Sequence, residues 1–493
     1  MRKITMIAFL TFVSLLKAEK ISLPVESFTL SNGLKVVIVK NNDVAVVSCR
    51  LYYFVGSMYE GPGTSGLSHM YEHMMFKGTK ILGTKDYNKE LPYIRKMDLI
   101  AENIQKLKDS GASDDDARIV KMKKEIYSLL TEQRKYIKKD EIWETYQKNG
   151  GSKLNAWTSD YLTAYLVTLP KNKVELFYWI ESDRMQNPVL REFYSERDVV
   201  AEERRMRYEN QPVNSYYENL LARFYTVHPF RIPTIGYMSD IQSYTRPKME
   251  EHVRRYYTPD NAMIVLSGNI DSKKARQDIE RYFGNIPRAV KAKQSVVTRE
   301  PAAEGETRYV MRADSEPRID IMFHIPPYPN DDVFVLDVIE GILGGRTGRL
   351  YKRLVDSEKL CTDADVSNSF RIHGGYFIIS ASLIAGSDPV TVEKIIYEEI
   401  DKIKKDPPSD EEMERVKNSI RFSYLSGLKS LERISDQIAR FEAMGGWRGM
   451  FDYTDKIISV KKEDLPAAAA RYMIREKQTI GILINAKSQQ EGN

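Results

Sequence analysis

Apolar positions recur along this chain with two periods, one near two residues and one between three and four. The period-two runs Ser27 to Leu30 and Leu34 to Val39 flank Asn32-Gly33, a turn signal that predicts a hairpin. A third strand is predicted over Ala45 to Phe54. A Gly/Pro/Ser loop from Gly61 to Gly66 then leads into a short helix through residues 69–73. Residues 88–148 read as a helical insertion. Ile94, Met97, Ile100, Ile104 and Leu107 repeat at spacings of three or four, and Gly111 interrupts them. Ser113 offers a cap for a second run through Ile119, Met122, Ile126 and Leu129, so two antiparallel helices are expected. A strand-rich stretch follows from Leu154 to Leu169. Helical patterns then fill Asn172 to Met185 and Glu192 to Asn210, before a strand at Asn261 to Ser267 and a helix at Ser272 to Phe283.

The second half repeats this order at low similarity. A strand from Arg318 to His324 leads into a helix from Val333 to Leu343. The strand Tyr376 to Leu383 precedes helices at Pro389 to Lys404 and Asp410 to Leu425. Two copies of one unit are the economical architecture. The expected fold class is α+β, with two homologous domains, each a mostly antiparallel sheet packed with helices. The first spans residues 19–287, the second 307–493. Residues 288–306 are rich in Pro, Ala, Lys and Glu without an apolar period and read as a linker.

Composition narrows this picture little. The 493 residues carry 74 Lys plus Arg against 69 Asp plus Glu, a mild excess that argues against a nucleic-acid surface. The N-terminus is more telling. Arg2 and Lys3 precede a mostly apolar run from Ile4 to Leu16, and Lys17-Ala18-Glu19 follows. Residues 1–18 read as a secretory signal peptide, with an uncleaved anchor as the competing reading. The run is short for a bilayer span, and no later segment is apolar enough to cross one. Export to the periplasm, or release outside the cell, is expected. The two cysteines, Cys49 and Cys361, lie far apart and are expected to be unpaired, partly buried thiols.

The chemistry concentrates in His69-Met70-Tyr71-Glu72-His73. Histidines four apart on a helix share a face, and that spacing lets both imidazoles reach one metal ion. Glu72 lies beside the same face, placed to act on a metal-bound water. In a chain with 6 His, the pattern is expected by chance only roughly 0.01 times. Thr64-Ser65 are candidate caps for this helix, and Lys77 and Gly78 close it. A catalytic zinc wants a third protein ligand and one open position. The helix from Glu192 to Asn210 carries Glu196, Glu202, Glu203 and Glu209. Glu196 and Glu203, two turns apart, share a face with Val199 and Val200. Spacing alone leaves open whether they are partly buried ligands or a solvated stripe paired with Arg197, Arg204 and Arg205. The corresponding helix of the second half reads Val338-Ile339-Glu340-Gly341 and holds no His, so only the first copy has the motif.

The motif resembles the inverted zinc signature of the insulinase/pitrilysin peptidases, in their shorter two-domain, processing-peptidase-like form. The likeness extends through Phe76-Lys77-Gly78-Thr79, Asn155-Ala156-Trp157-Thr158-Ser159, Glu196-Arg197-Asp198-Val199-Val200-Ala201-Glu202-Glu203 and Tyr257-Thr258-Pro259-Asp260-Asn261-Ala262. It implies a zinc endopeptidase with one Zn2+ per chain, held by His69, His73 and Glu203. Glu72 would be the general base and a zinc-bound water the nucleophile. Glu196 would support the ligands, and Glu202 would be their exposed neighbour. Substrate, a peptide or unfolded polypeptide, is expected to pair along an edge strand at Asn155 and Ala156, with Trp157 and Tyr165 packing inward. The resemblance further implies a closed chamber built by dimerisation, with a related subunit lacking zinc or with a second copy. The same fold also serves as a non-catalytic subunit, which is the alternative reading. The Arg and Tyr that the family's second domain uses to clamp substrate align here with Val355 and Thr362. Arg353 lies two residues early and is expected to form a surface ion pair with Asp356 or Glu358.

Overall fold

The computed structural model describes residues 23–291 and 293–487. The signal-peptide reading therefore falls outside the described residues. Strands β1 (Val25–Thr29), β2 (Lys35–Lys40) and β3 (Val46–Tyr53) come first. Gly33 sits at φ 93° in the β1–β2 turn, as Asn32-Gly33 predicts. Helix α1 (Leu67–Met74) carries the His motif. The insertion contains α2 (Tyr87–Asp109), α3 (Ala117–Gln133) and α4 (Glu141–Lys148). Within the insertion, two points differ from the sequence reading. The cap of α3 is Asp116, whose carboxylate accepts the Arg118 N–H, not Ser113. A third helix, α4, follows the predicted pair; Ile142 and Tyr146 anchor it four apart, too short a repeat to read as a period.

Edge strand β4 (Ser152–Thr158) and β5 (Thr163–Pro170) precede α5 (Val174–Gln186) and α6 (Phe193–Arg204), and α6 runs on as a π-helical turn to Glu209. Helix α7 (Pro212–Phe224) leads on to β6 (Ala262–Gly268), the last strand of the first sheet. The second sheet comprises β7 (Thr307–Ala313), β8 (Arg318–Ile325), β9 (Cys361–Ser369), β10 (Gly375–Leu383) and β11 (Thr479–Asn485).

The expected α+β duplication is present. The first sheet runs β1-β2-β6-β3-β5-β4 and the second β7-β11-β8-β10-β9. Aside from the extra β1, the two orders superimpose strand for strand. Each sheet has one parallel pair, β2 with β6 and β7 with β11, and is otherwise antiparallel. Both cysteines are free and fully buried, deeper than expected.

The halves exchange helices. Tyr216, Leu220 and Phe224 of α7 lie against Met322 and Leu483 of the second sheet. The Tyr216 and Tyr217 hydroxyls each donate to buried Asp320 on β8 at 2.9 Å. Reciprocally, the helix Leu431–Ala443 packs on β3 and β6 of the first sheet. Its Asp436 accepts from Arg50 at 2.9 Å and from Tyr52 at 2.7 Å. Val37, Val39, Tyr52, Met263 and Val265 of the first sheet thereby join one apolar core with Ile319, Ile321 and Phe323 of the second.

Residues 288–306 carry no helix or strand among those described, and several of them are docked on the first half. The Glu300 carboxylate accepts the N–H groups of Thr226, Val227 and His228 at 2.6–3.1 Å. The Lys293 ammonium donates to the Phe54 carbonyl and lies 4.1 Å from the Tyr59 ring.

Candidate metal centre

Helix α1 forms because Leu67, Met70, Tyr71 and Met74 fall on one buried face, which leaves His69, Glu72 and His73 on the other. Its N-terminus is not capped by Thr64-Ser65. The helix starts after Gly66, in the left-handed region at φ 87°, and no adjacent side chain caps it. The buried Glu60 carboxylate does that work from six residues back, accepting the Gly66 N–H at 2.5 Å and the Ser68 N–H at 2.7 Å. Burial pushes the Glu60 carboxyl up to about 7. Asp240 fixes the preceding loop through the N–H of Gly63 and both the N–H and hydroxyl of Ser65. Gly78, at φ 94°, ends the segment as predicted.

Helix α6 brings its carboxylates to this face. Glu203 Oε2 lies 3.3 Å from His73 Nε2 and 3.7 Å from His69 Nε2. Among the described residues, these three form the group of His, Cys, Asp or Glu whose ligand atoms converge, all within 4.8 Å. Tetrahedral ligands at zinc's usual 2.0–2.1 Å stand about 3.3 Å apart, so the two spacings from Glu203 to the imidazoles are close to those such an ion requires. Two imidazoles and one carboxylate are also a donor set of catalytic zinc, with a fourth position left open.

Supporting residues surround the three. His73 Nδ1 meets Glu196 Oε1 at 3.0 Å, and Lys77 Nζ holds Glu196 Oε2 at 2.6 Å. That carboxylate fixes the ring so that Nε2 faces Glu203. Arg207, one turn beyond Glu203, holds its other oxygen at 3.1 Å. Glu72 Oε2 accepts the Thr158 hydroxyl at 2.7 Å.

Electrostatics follow from these contacts. Burial, reinforced by the His73 charge, lowers His69 to about 4. Burial would lower His73 too, but its bonds to Glu196 and Glu203 outweigh that and raise it to about 9. Burial opposes ionisation of Glu196, yet His73 and Lys77 hold it at about 2. Glu203 is lowered, chiefly by His73. Burial raises Glu72 against the Thr158 hydrogen bond.

The structure thus brings His69, Glu72, His73, Glu196 and Glu203 together. Glu202 is exposed and pairs with Arg205. Val200 is buried but Val199 is half exposed, so the apolar side of α6 is narrower than its spacing predicts. Asn155 and Ala156 lie on β4, which has a strand neighbour on one side only. Trp157 packs edge-on to Tyr52, and Tyr165 is fully buried. In the second half, Val355 and Thr362 offer no clamp. Arg353 pairs chiefly with Glu398 at 2.7 Å and Glu399 at 3.1 Å, with Glu358 farther at 3.7 Å and not with Asp356. Sequence reasoning missed Glu60, Lys77, Thr158 and Arg207 as parts of the site. Lys77 and Thr158 stand inside the family-like segments; nothing in the sequence pointed to Glu60.

Residues 35–95 and 129–237 match the family model described as insulinase, peptidase family M16. Residues 243–420 match the model described as the peptidase M16 inactive domain, and together the two cover well over half of the chain. The chain belongs to peptidase family M16. Its M16 relatives include the zinc protease PqqE of Helicobacter pylori, 26% identical over 458 residues, which span 91% of this chain and 90% of that protein. The uncharacterized zinc protease YmxG of Bacillus subtilis is 21% identical, over 93% and 98% of the two chains. The crystal structure of a protease from Helicobacter pylori superimposes with a TM-score of 0.79 at 25% identity, covering 94% of this chain and 99% of that one. The fold is shared also with the periplasmic protease PqqL from Escherichia coli, with a TM-score of 0.70 at 17% identity; this chain matches 48% of its length.

Proposed function

We propose that this M16 chain is a zinc-dependent endopeptidase acting on peptides or unfolded polypeptides. The observation that carries the reading is the convergence of His69, His73 and Glu203 beside Glu72, at the end of an open sheet edge. His69, His73 and Glu203 would hold a zinc ion, which would supply Lewis acidity toward a peptide carbonyl and toward water. Substrate adds as a strand along the outer edge of β4, meeting main-chain groups at Asn155 and Ala156. Glu72 takes the proton of the attacking water and passes it to the leaving amine. Thr158 orients that carboxylate, and Glu196, braced by Lys77, orients His73. The chain works as a dimer that encloses its substrate, with a related zinc-free subunit or a second copy. The occupied Arg353 and the Val355 and Thr362 substitutions favour a partner that contributes to substrate binding. The working location is the periplasm, where a relative of this fold is named a periplasmic protease.

The test compares wild type with Glu72→Gln. Both should bind about one zinc per chain, and only wild type should cleave unstructured peptides, by a margin of about 10²–10⁴. Equal cleavage by both would remove Glu72 as the base. A zinc-loaded wild type that cleaves nothing, alone or with a related chain added, would support the non-catalytic reading. Size-exclusion chromatography of the same samples reports the assembly.

A further inference from the structure

A cavity of about 350 Å³ opens beside the metal centre and is walled by both halves of the chain. Arg207, which holds Glu203, forms one side. Asp160, two residues beyond the Thr158 that binds Glu72, forms another. Phe230 and Arg231 come from the loop after α7, and Arg371 comes from the second half. A peptide paired on β4 with its carbonyl near Glu72 would run its next residues past Thr158 toward Asp160 and this space.

The charges lining the cavity do not cancel. Asp160 is already bound by the Arg371 guanidinium, which also lies 4.6 Å from the Phe230 ring. Glu218 is taken by two hydrogen bonds from Arg204, at 2.8 and 3.1 Å. Arg207 is engaged with Glu203 on one side, but its side chain is 68% exposed. The exposed Arg231 guanidinium donates to the Thr226 carbonyl and forms no ion pair among the described residues. Both carboxylates thus have a guanidinium partner, while Arg231 has no carboxylate partner among the described residues and Arg207 keeps donors beyond the one given to Glu203.

We propose that this cavity is a specificity pocket for an acidic side chain flanking the scissile bond, with Arg231 as its selecting charge and Arg207 as the second cation. The proposal rests on the peptidase reading above. A Glu side chain reaching the pocket gains charge-assisted hydrogen bonds, while a Lys in its place meets like charge.

The test uses the full-length, zinc-loaded chain and unstructured decapeptides that differ only in carrying Glu, Gln or Lys at positions within two residues of the bond. Binding is read on Glu72→Gln and cleavage on wild type. At one position, Glu should be preferred to Lys at least tenfold in both readouts, with Gln between. Arg231→Gln should level the preference and Arg231→Glu should invert it, with zinc content and Tm showing that each variant is folded. Discrimination below threefold at every position, or a preference unchanged in Arg231→Glu, would overturn the pocket. If Glu72→Gln discriminates while wild type cleaves nothing, the pocket stands and the peptidase reading fails. If wild type cleaves all the peptides alike, the pocket fails and the peptidase reading stands.

Discussion

His73 is held between two carboxylates with different tasks. Glu203 approaches Nε2 as the proposed fellow ligand, while Glu196 grips Nδ1 and is itself braced by Lys77. A ring fixed from behind needs no reordering to accept a metal, which is why such outer partners commonly matter tenfold to a hundredfold in affinity. Glu196→Ala should therefore weaken zinc binding about 10–100-fold in a chelator competition. Glu202→Ala, beside the ligand Glu203 but on the solvent side of the helix, should leave it unchanged, because Glu202 points to solvent and Arg205. Equal affinities in the two variants would mean that Glu196 only decorates the site.

At the scale of elements, α1 and its counterpart Asp332–Leu343 follow equivalent strands, yet one carries the His-x-x-Glu-His motif and the other does not. In the counterpart, Glu340 stands where the motif stood. Burial, helped by nearby Asp337, raises its carboxyl to about 8 from an ordinary 4.5. The folded chain thus holds this proton more tightly than the unfolded chain. The contribution to stability is full below about 4.5 and is lost as pH climbs toward 8. Glu340→Gln keeps an acceptor for the Asn368 N–H and removes the titration. Its Tm should exceed that of wild type by several degrees at pH 8, with the gap closing by pH 5. A constant difference across that range would exclude Glu340 as the source.

For the whole molecule, the exchange of α7 and the helix Leu431–Ala443 makes each half part of the other's core. A fragment ending at the linker would leave Val37, Val39, Tyr52, Met263 and Val265 without their cover. The full chain should unfold in one cooperative transition seen alike by calorimetry and tryptophan fluorescence, and a fragment of residues 23–306 should aggregate or bind a hydrophobic dye. Two resolved transitions would show that the halves fold alone. Arg371 of the second half also binds Asp160 of the first, so the cavity they line has walls from both halves.

The sequence by itself determined the strands of the first half, β8 and β10 of the second, and the helices α1, α2, α3, α5 and α6 with three in the second half, because one-sided burial imposes its period on the residues that form it; β7, β9, β11, α7 and the helix Leu431–Ala443 were not read from it. It also determined His69, Glu72 and His73, since a four-residue helical spacing places both imidazoles whatever the rest of the fold does. Glu196 and Glu203 were legible as one face of a helix but not as ligands until resemblance assigned them. Their distance to the imidazoles depends on how α6 packs against α1, which no local pattern encodes. Only the tertiary structure decided the cap on α1 by Glu60, the bond from Thr158 to Glu72 and the brace from Lys77 to Glu196. It alone showed the docked linker, the exchanged helices and the pocket around Arg231. Each of these joins side chains brought together by sheet order and helix packing, and the chain carries no periodicity that records such pairings.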